Sequence, residues 1–221
     1  SIEAVLTFNG VSGSTVTYST SGLSAGDPLR FVLQADGSSL ATGYYDYTMT
    51  ITAKYSGGSD VVQTFSGSQA VVNRNASEFG RGWWYAGLDQ LVTSGSGALW
   101  VKSNGDALWF KNNSGTYAHA MGDIDYHVLT TGGGGSFILT SKEGIVRNFN
   151  SSGQLTSIVD ANGNSTSYTY TSGKLTTVTD PFSRTFSISY TSGYATTITD
   201  YASHASTLSI SSGKLNSVTL H

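Results

Sequence analysis

From residue 149 onward, apolar and hydroxyl-bearing positions alternate in short runs, and the runs are cut by glycine at a constant interval. Gly153, Gly173, Gly193 and Gly213 stand twenty residues apart. Asp160, Asp180 and Asp200 keep the same interval, as do Tyr170, Tyr190 and Ile210. Three columns in one register make an internal repeat, and a repeat is architecture before it is chemistry. Within each unit a β-branched run such as "KLTTVT" is strand material and poor helix material. Asp then opens a tight connection, "DANGN" at Asp160–Asn164 or "DPFS" at Asp180–Ser183, and a "TSG" or "SSG" turn closes the unit. The return strand sets Phe186, Ile188 and Tyr190 on one face and Ser187 and Ser189 on the other, an alternation repeated at Tyr168 and Tyr170 and at Leu208 and Ile210. The pattern predicts one antiparallel hairpin per twenty residues in a growing sheet. A lone hairpin cannot bury its apolar face, so each needs its neighbours.

A looser form of the pattern runs through Leu99–Gly115 and Ile138–Gly153, where Gly105 matches Gly144 and Phe110 matches Phe149, each 39 residues apart. Between them the sequence predicts an irregular insertion with Gly132–Gly135 as a flexible tip. Residues 1–75 lack the period. They show short strands between turn signals, "AVLTF", "STVTYST", "LRFVLQA", "YYDYTMTITAKY", "DVVQTF" and "QAVVN", which predict a β-sandwich of immunoglobulin or fibronectin type III shape. The expected layout is all-β: the sandwich at 1–75, a seam and irregular hairpins at 76–148, and about four partial repeats at 149–221. The seam, "NRNASEFGRGWWYAGLDQLV", holds Trp83 and Trp84. Neighbouring strand residues point to opposite faces, so one indole is expected in each of the two flanking units.

Composition narrows the function. A net charge of -3 and pI near 5.7 exclude a nucleic-acid interface, which needs a basic face. Only 11% of residues are charged, well under the ~25% usual in soluble domains. There is no cysteine, hence no disulfide, thiolate metal site or cysteine nucleophile. No apolar run reaches the ~20 residues of a membrane span. The abrupt ends point to a piece of a larger chain.

"FGRGWWYAGLDQLV", "GDALWFKNNSGTY" and "KEGIVRNFNSSGQLTSIVDANGNSTSYTYTSGKLTTVTDP" resemble the start and first repeats of bacterial Rhs, or YD-repeat, proteins, over roughly Asn73 to the C-terminus. The resemblance implies a β-sheet strip that winds into a hollow shell, in a large secreted or cell-surface protein. Family shells can enclose a C-terminal toxin, and the related teneurins serve cell adhesion. The family's Tyr-Asp pair is Tyr170-Thr171 and Tyr190-Thr191 here, its Arg before Leu is Lys174, Lys214 or Gln154, and Leu220 stands in the aspartate column. The family's terminal core segment is absent, and four partial repeats cannot close a shell.

Candidate chemistry is sparse. "GLSAG" at Gly22–Gly26 precedes a strand pattern rather than a helix, so Ser24 reads as a loop residue and not a nucleophile elbow. His119, His127, His204 and His221 share no ligand spacing, and His204 takes the turn position held by Asn164 and Arg184 in earlier repeats. "GDIDYH" is the most site-like cluster: Asp123, Asp125 and His127 are weak metal candidates on one side of an expected strand. The three glutamates, Glu3, Glu78 and Glu143, suggest no glycosidase pair. Glu78 is expected to pair with Arg74 and Arg81. The reading is therefore a non-catalytic structural module with no cofactor, whose partners are further repeats of a parent chain. Its last strand is exposed to self-association along the edge. The alternative is an adhesion module that meets a carbohydrate or surface protein through Trp83, Trp84, Trp100, Trp109 and Tyr117, with Trp100 and Trp109 as cross-strand neighbours.

Overall fold

The computed structural model describes residues 1–221 apart from Ala25, residues 119–121 and Asp125. Two compact units divide at Val71/Val72. All strand pairings are antiparallel, and no α-helix occurs among the described residues.

The first unit is one sheet. Strands β1 (Ile2–Phe8), β2 (Val11–Ser12), β3 (Val16–Tyr18), β4 (Gly43–Ala53) and β5 (Val61–Val71) are ordered β2-β1-β4-β5, with β3 also on β1. The second sheet of a sandwich is not formed by the described strands. "DVVQTF" and "QAVVN" fuse into the single strand β5, and "LRFVLQA" forms no strand. The reason lies in Tyr18. Its hydroxyl donates to the Val32 carbonyl (2.9 Å) and accepts from the Val32 amide (3.2 Å), while its ring meets Phe31 edge-on. A side chain thus takes the backbone groups that a neighbouring strand would have taken.

The second unit carries the repeats. A four-stranded sheet holds β6 (Gln90–Ser94), β7 (Gly97–Val101), β8 (Ala107–Asn113) and β9 (Thr116–Tyr117) in sequence order. A ten-stranded meander follows: β10 (Val128–Thr131), β11 (Phe137–Thr140), β12 (Val146–Phe149), β13 (Leu155–Val159), β14 (Ser165–Thr171), β15 (Lys174–Thr179), β16 (Thr185–Thr191), β17 (Tyr194–Thr199), β18 (Ala205–Ser211) and β19 (Lys214–Thr219). The expected flexible tip is a single 3-10 turn, Gly133–Gly135, between β10 and β11. Both sheets feed one core that runs from Leu91, Ala98, Trp100 and Phe110 to Leu139, Phe149, Leu155, Leu175 and Ala195. The alternation predicted for the return strands holds, with Tyr168 and Ile188 buried and the intervening serines turned outward.

Two kinds of turn occur, and they alternate from Asp160 onward. The five-residue connections starting at Lys102, Ser141, Asn150, Asp160, Asp180 and Asp200 share two backbone bonds of 2.8–3.0 Å: residue i donates to i+4, and i+3 donates back to i. Asp160, Asp180 and Asp200 reinforce them. In each, Oδ1 accepts the amides of i+2 and i+4, while Oδ2 meets the i+4 side chain, which is Asn164, Arg184 or His204. This is an Asx-type clip, and His204 is the turn residue it was expected to be. The opposite ends close on Ser-Gly pairs at 172–173, 192–193 and 212–213, with both residues at positive φ, as a two-residue hairpin turn requires.

Every repeat also contains a β-bulge. Its extra residue is Thr156, Thr176, Thr196 or Asn216, again twenty apart. The three threonine hydroxyls donate back across the pair, to Asn148, Thr169 and Ser189 carbonyls (3.0, 3.2 and 3.2 Å). The bulge adds local twist.

Burial fades along the strip. Leu155, Leu175 and Ala195 are fully buried, whereas Leu215, in the same column, is only partly so, and Val218 is 48% exposed where Val178 is 7%. Edge strand β19 pairs only with β18. Native-state hydrogen exchange should therefore be markedly faster in β18 and β19 than in β15 and β16; equal protection would show that the fourth repeat is held by something other than the shared core.

Candidate functional site

The repeats are tied to one another by two ladders of side-chain bonds. The Tyr170 and Tyr190 hydroxyls donate to the carbonyls of Leu155 and Leu175, one repeat back, at 2.9 and 2.7 Å. In the other direction Gln154 Nε2 and Lys174 Nζ donate to Gly173 and Gly193 carbonyls, one repeat on, at 2.8 and 2.7 Å. The last unit breaks the first ladder, because Ile210 stands in the tyrosine column.

The segment between residues 77 and 91 crosses the Ser-Gly end of the strip. Arg81 donates to the Gly213 carbonyl (2.7 Å) and Leu91 to the Gly153 carbonyl (2.9 Å), while Glu78 accepts from the Ala195 amide (2.9 Å). Gln90 bridges Gln154, and Tyr168 reaches the Gly87 carbonyl at 3.4 Å. The approach is close. A Cβ on Gly153 would fall 1.7 Å from the Leu91 oxygen, and one on Gly80 would fall 2.8 Å from the Leu215 nitrogen. Phe79 and Leu88 from this segment enter the shared core. The expected ion pair of Glu78 with Arg74 and Arg81 is not among the described ion pairs. Arg74 instead donates to the Lys102 and Ser103 carbonyls (both 2.9 Å) and lies over the Trp84 ring.

The five aromatics expected to meet a ligand are dispersed. Trp83 is exposed at 57%. Trp84 is half-buried, its indole N–H on the Leu88 carbonyl (2.6 Å) and its ring against Phe79. Trp100 lies in the core at 2% exposure. Trp109 stacks over Gly97, where a Cβ would meet its ring at 2.5 Å, and Tyr117 meets Phe137 edge-on. Trp100 and Trp109 are not cross-strand neighbours: the register pairs Trp100 with Leu108 and Trp109 with Leu99, which sets the two indoles on opposite faces of the sheet.

A polar cluster that sequence reasoning missed surrounds Trp100. Buried Asp89 accepts the Trp100 indole N–H (3.0 Å) and Arg147 Nε (3.1 Å) on Oδ2, and the Ser103 amide (2.9 Å) on Oδ1. His127 lies at 4.7 Å from the Trp100 ring, and Lys102 and Arg147 lie over it at 4.8 and 5.2 Å. A cavity of about 370 Å³ opens here, lined by Asp89, Trp100, Lys102, Asn104, His127 and Arg147. Asp123 clips His127 locally, taking its backbone amide at 2.6 Å and its Nδ1 at 3.0 Å. The pair sits outside any strand, and both side chains are buried. Asp125 lies outside the described residues. Among the described residues no three His, Asp or Glu side chains converge as a metal site would need. A carboxylate on Nδ1 is the arrangement that orients a catalytic imidazole, but this ring is 4% exposed and stacked on Trp100.

Burial, aided by the Asp89 charge, pushes the Tyr168 hydroxyl up to about 12. Burial likewise raises Tyr170, with Tyr168 and Glu78 adding to it, and Tyr190, with Glu78 and Tyr170 adding to it. The fold holds these phenols protonated above the ordinary value of about 10. Their contribution is complete below that pH and is lost as pH rises through the raised values. Melting temperature should accordingly fall from pH ~10 upward, and less steeply in Tyr190→Phe. The crossing segment gives a second test. Gly153 and Gly173 both have positive φ, but a Cβ on Gly173 meets nothing within 4 Å. Urea denaturation should show Gly153→Ala costing at least about 2 kcal/mol more than Gly173→Ala; equal losses would mean that backbone strain alone matters there.

No curated protein matches the chain. The model of the RHS repeat family matches residues 149–185, from Phe149 in the core, through the first Asp clip and the Tyr170 tie, to the start of β16. Through that segment the chain carries an RHS, or YD-type, repeat.

Proposed function

We propose that this chain is a non-catalytic structural module, the covered start of an RHS β-strip within a larger secreted or cell-surface protein. The observation that carries the reading is the crossing segment. It takes backbone partners from the first, third and fourth repeats at one end of the strip, at Gly153, Ala195 and Gly213, and adds Phe79 and Leu88 to the core. A strip of hairpins has no second layer of its own, and burying each large apolar side chain contributes ~1.5–3 kcal/mol. Segment and small sheet supply that layer, while β19 keeps an unpaired edge on which a further hairpin, or a second copy, can add. The Asp89 carboxylate is filled by hydrogen bonds within the fold, and His127 is clipped by Asp123 and shut from solvent, which supports a role without catalysis.

Exposure of Trp83 favours a second reading, an adhesion module for carbohydrate or a surface protein. Two measurements separate them. Appending two further copies of residues 180–199 after Thr219 should raise the melting temperature and slow amide exchange in β19; an unchanged melt would sink the strip-start reading. A glycan-array screen with acrylamide quenching should find no ligand that protects Trp83; protection lost in Trp83→Ala would establish the adhesion module instead.

A further inference from the structure

The cavity beside Trp100 has more cationic donors than the fold consumes. Its one carboxylate, Asp89, is saturated by the Ser103 amide, the Trp100 indole and Arg147 Nε. Arg147 uses only Nε in that pair, and among the described residues no hydrogen bond engages its two terminal nitrogens. Lys102 lies over the Trp100 ring at 4.8 Å and forms no described ion pair with a carboxylate. Asn104, at the rim, is engaged with Asp106 (2.8 and 3.0 Å) and so holds that carboxylate to the turn.

The geometry points to a binding site for a small carboxylate, of the size of an acidic monosaccharide, held by Arg147 and Lys102. At about 370 Å³ the cavity lies within the ~300–1,000 Å³ of ordinary small-ligand sites. Asp89 fixes the guanidinium through Nε, so its terminal pair is pre-oriented, and a planar carboxylate matches that fork with two parallel bonds. Lys102, which lines the same cavity, adds a second charge, on a turn already closed by its own backbone bonds to Asp106 and Gly105 (2.8 and 2.9 Å). Arg74 caps the same turn through the Lys102 and Ser103 carbonyls. An incoming anion therefore meets a built wall rather than two loose surface cations, and ordering costs little.

The test uses the full chain with three probes, sodium glucuronate, glucose and inorganic phosphate, read by calorimetry and by the NMR shift of the Trp100 indole proton, which sits on Asp89. Glucuronate should bind and move that resonance, glucose should not, and phosphate should compete weakly. Lys102→Gln should weaken glucuronate about tenfold or more, the loss of one charged hydrogen bond, with an unchanged melting temperature. Arg147→Lys should weaken it further by removing the fork, and Lys174→Gln, remote from the cavity, should leave binding intact. Phosphate binding without glucuronate binding would overturn the carboxylate assignment. No binding of either anion, or binding indifferent to both Lys102→Gln and Arg147→Lys, would overturn the site.

Discussion

A β-strip built of identical hairpins has one apolar face and nothing of its own to put against it. That constraint shapes the whole second unit. Leu155, Leu175 and Ala195 are fully buried only because other parts of the chain reach them. The four-stranded sheet contributes Trp100 and Phe110 to the same core, and the crossing segment adds Phe79 and Leu88. Where that cover ends, burial ends, and Val218 stands open. Ala195, which replaces leucine in its column, is where the Glu78 carbonyl takes a backbone amide; the small side chain suits so close an approach.

Given a covered face, the strip needs a constant spacing, and turn chemistry supplies it. Each aspartate does with one oxygen what a capping residue does at a helix end, taking two amides that the turn leaves open. The other oxygen takes whatever side chain lies four residues on. Hydrogen bonds from Asn164, and from His204 and Ala202 with the His204 side chain, hold Asp160 and Asp200 below the usual carboxylate range. At Asp180 burial pushes the other way, and the bonds from Arg184 and Phe182 together outweigh it. The tyrosine ladder ties each repeat to the one before, and the Gln154 and Lys174 ladder ties it to the one after. Each bond contributes only ~1 kcal/mol, but direction matters more than size: it fixes which neighbour a hairpin pairs with.

The cluster around Asp89 follows a different logic. Burying a carboxylate is tolerable only if its lone pairs are filled, and here a backbone amide, an indole and a guanidinium fill them. The residues come from the crossing segment, from β7 with its turn and from β12, three elements separated by up to 58 residues in sequence. Their convergence follows from laying the small sheet over the strip.

Repetition was legible without coordinates because it is periodic. Gly153 and its column, the Asp turns, the alternation of Tyr168 with Tyr170 and the role of His204 all follow from backbone rules that act within about twenty residues. The bulge column Thr156, Thr176, Thr196 was equally periodic, yet a threonine within a Thr-rich strand carries no local sign of being the extra residue. Expectations in the first unit failed where a side chain substituted for a strand, as Tyr18 does at Val32. Trp100 and Trp109 were misplaced because flanking a turn does not establish register: opposite positions depend on which residues pair across it, and Trp100 meets Leu108. Asp89 and Arg147 had no motif to betray them. Local sequence determined the strands, the turns and the twenty-residue beat. Tertiary structure alone decided what covers the strip and which polar groups share its interior, because burial and charge pairing are set by residues distant in the chain.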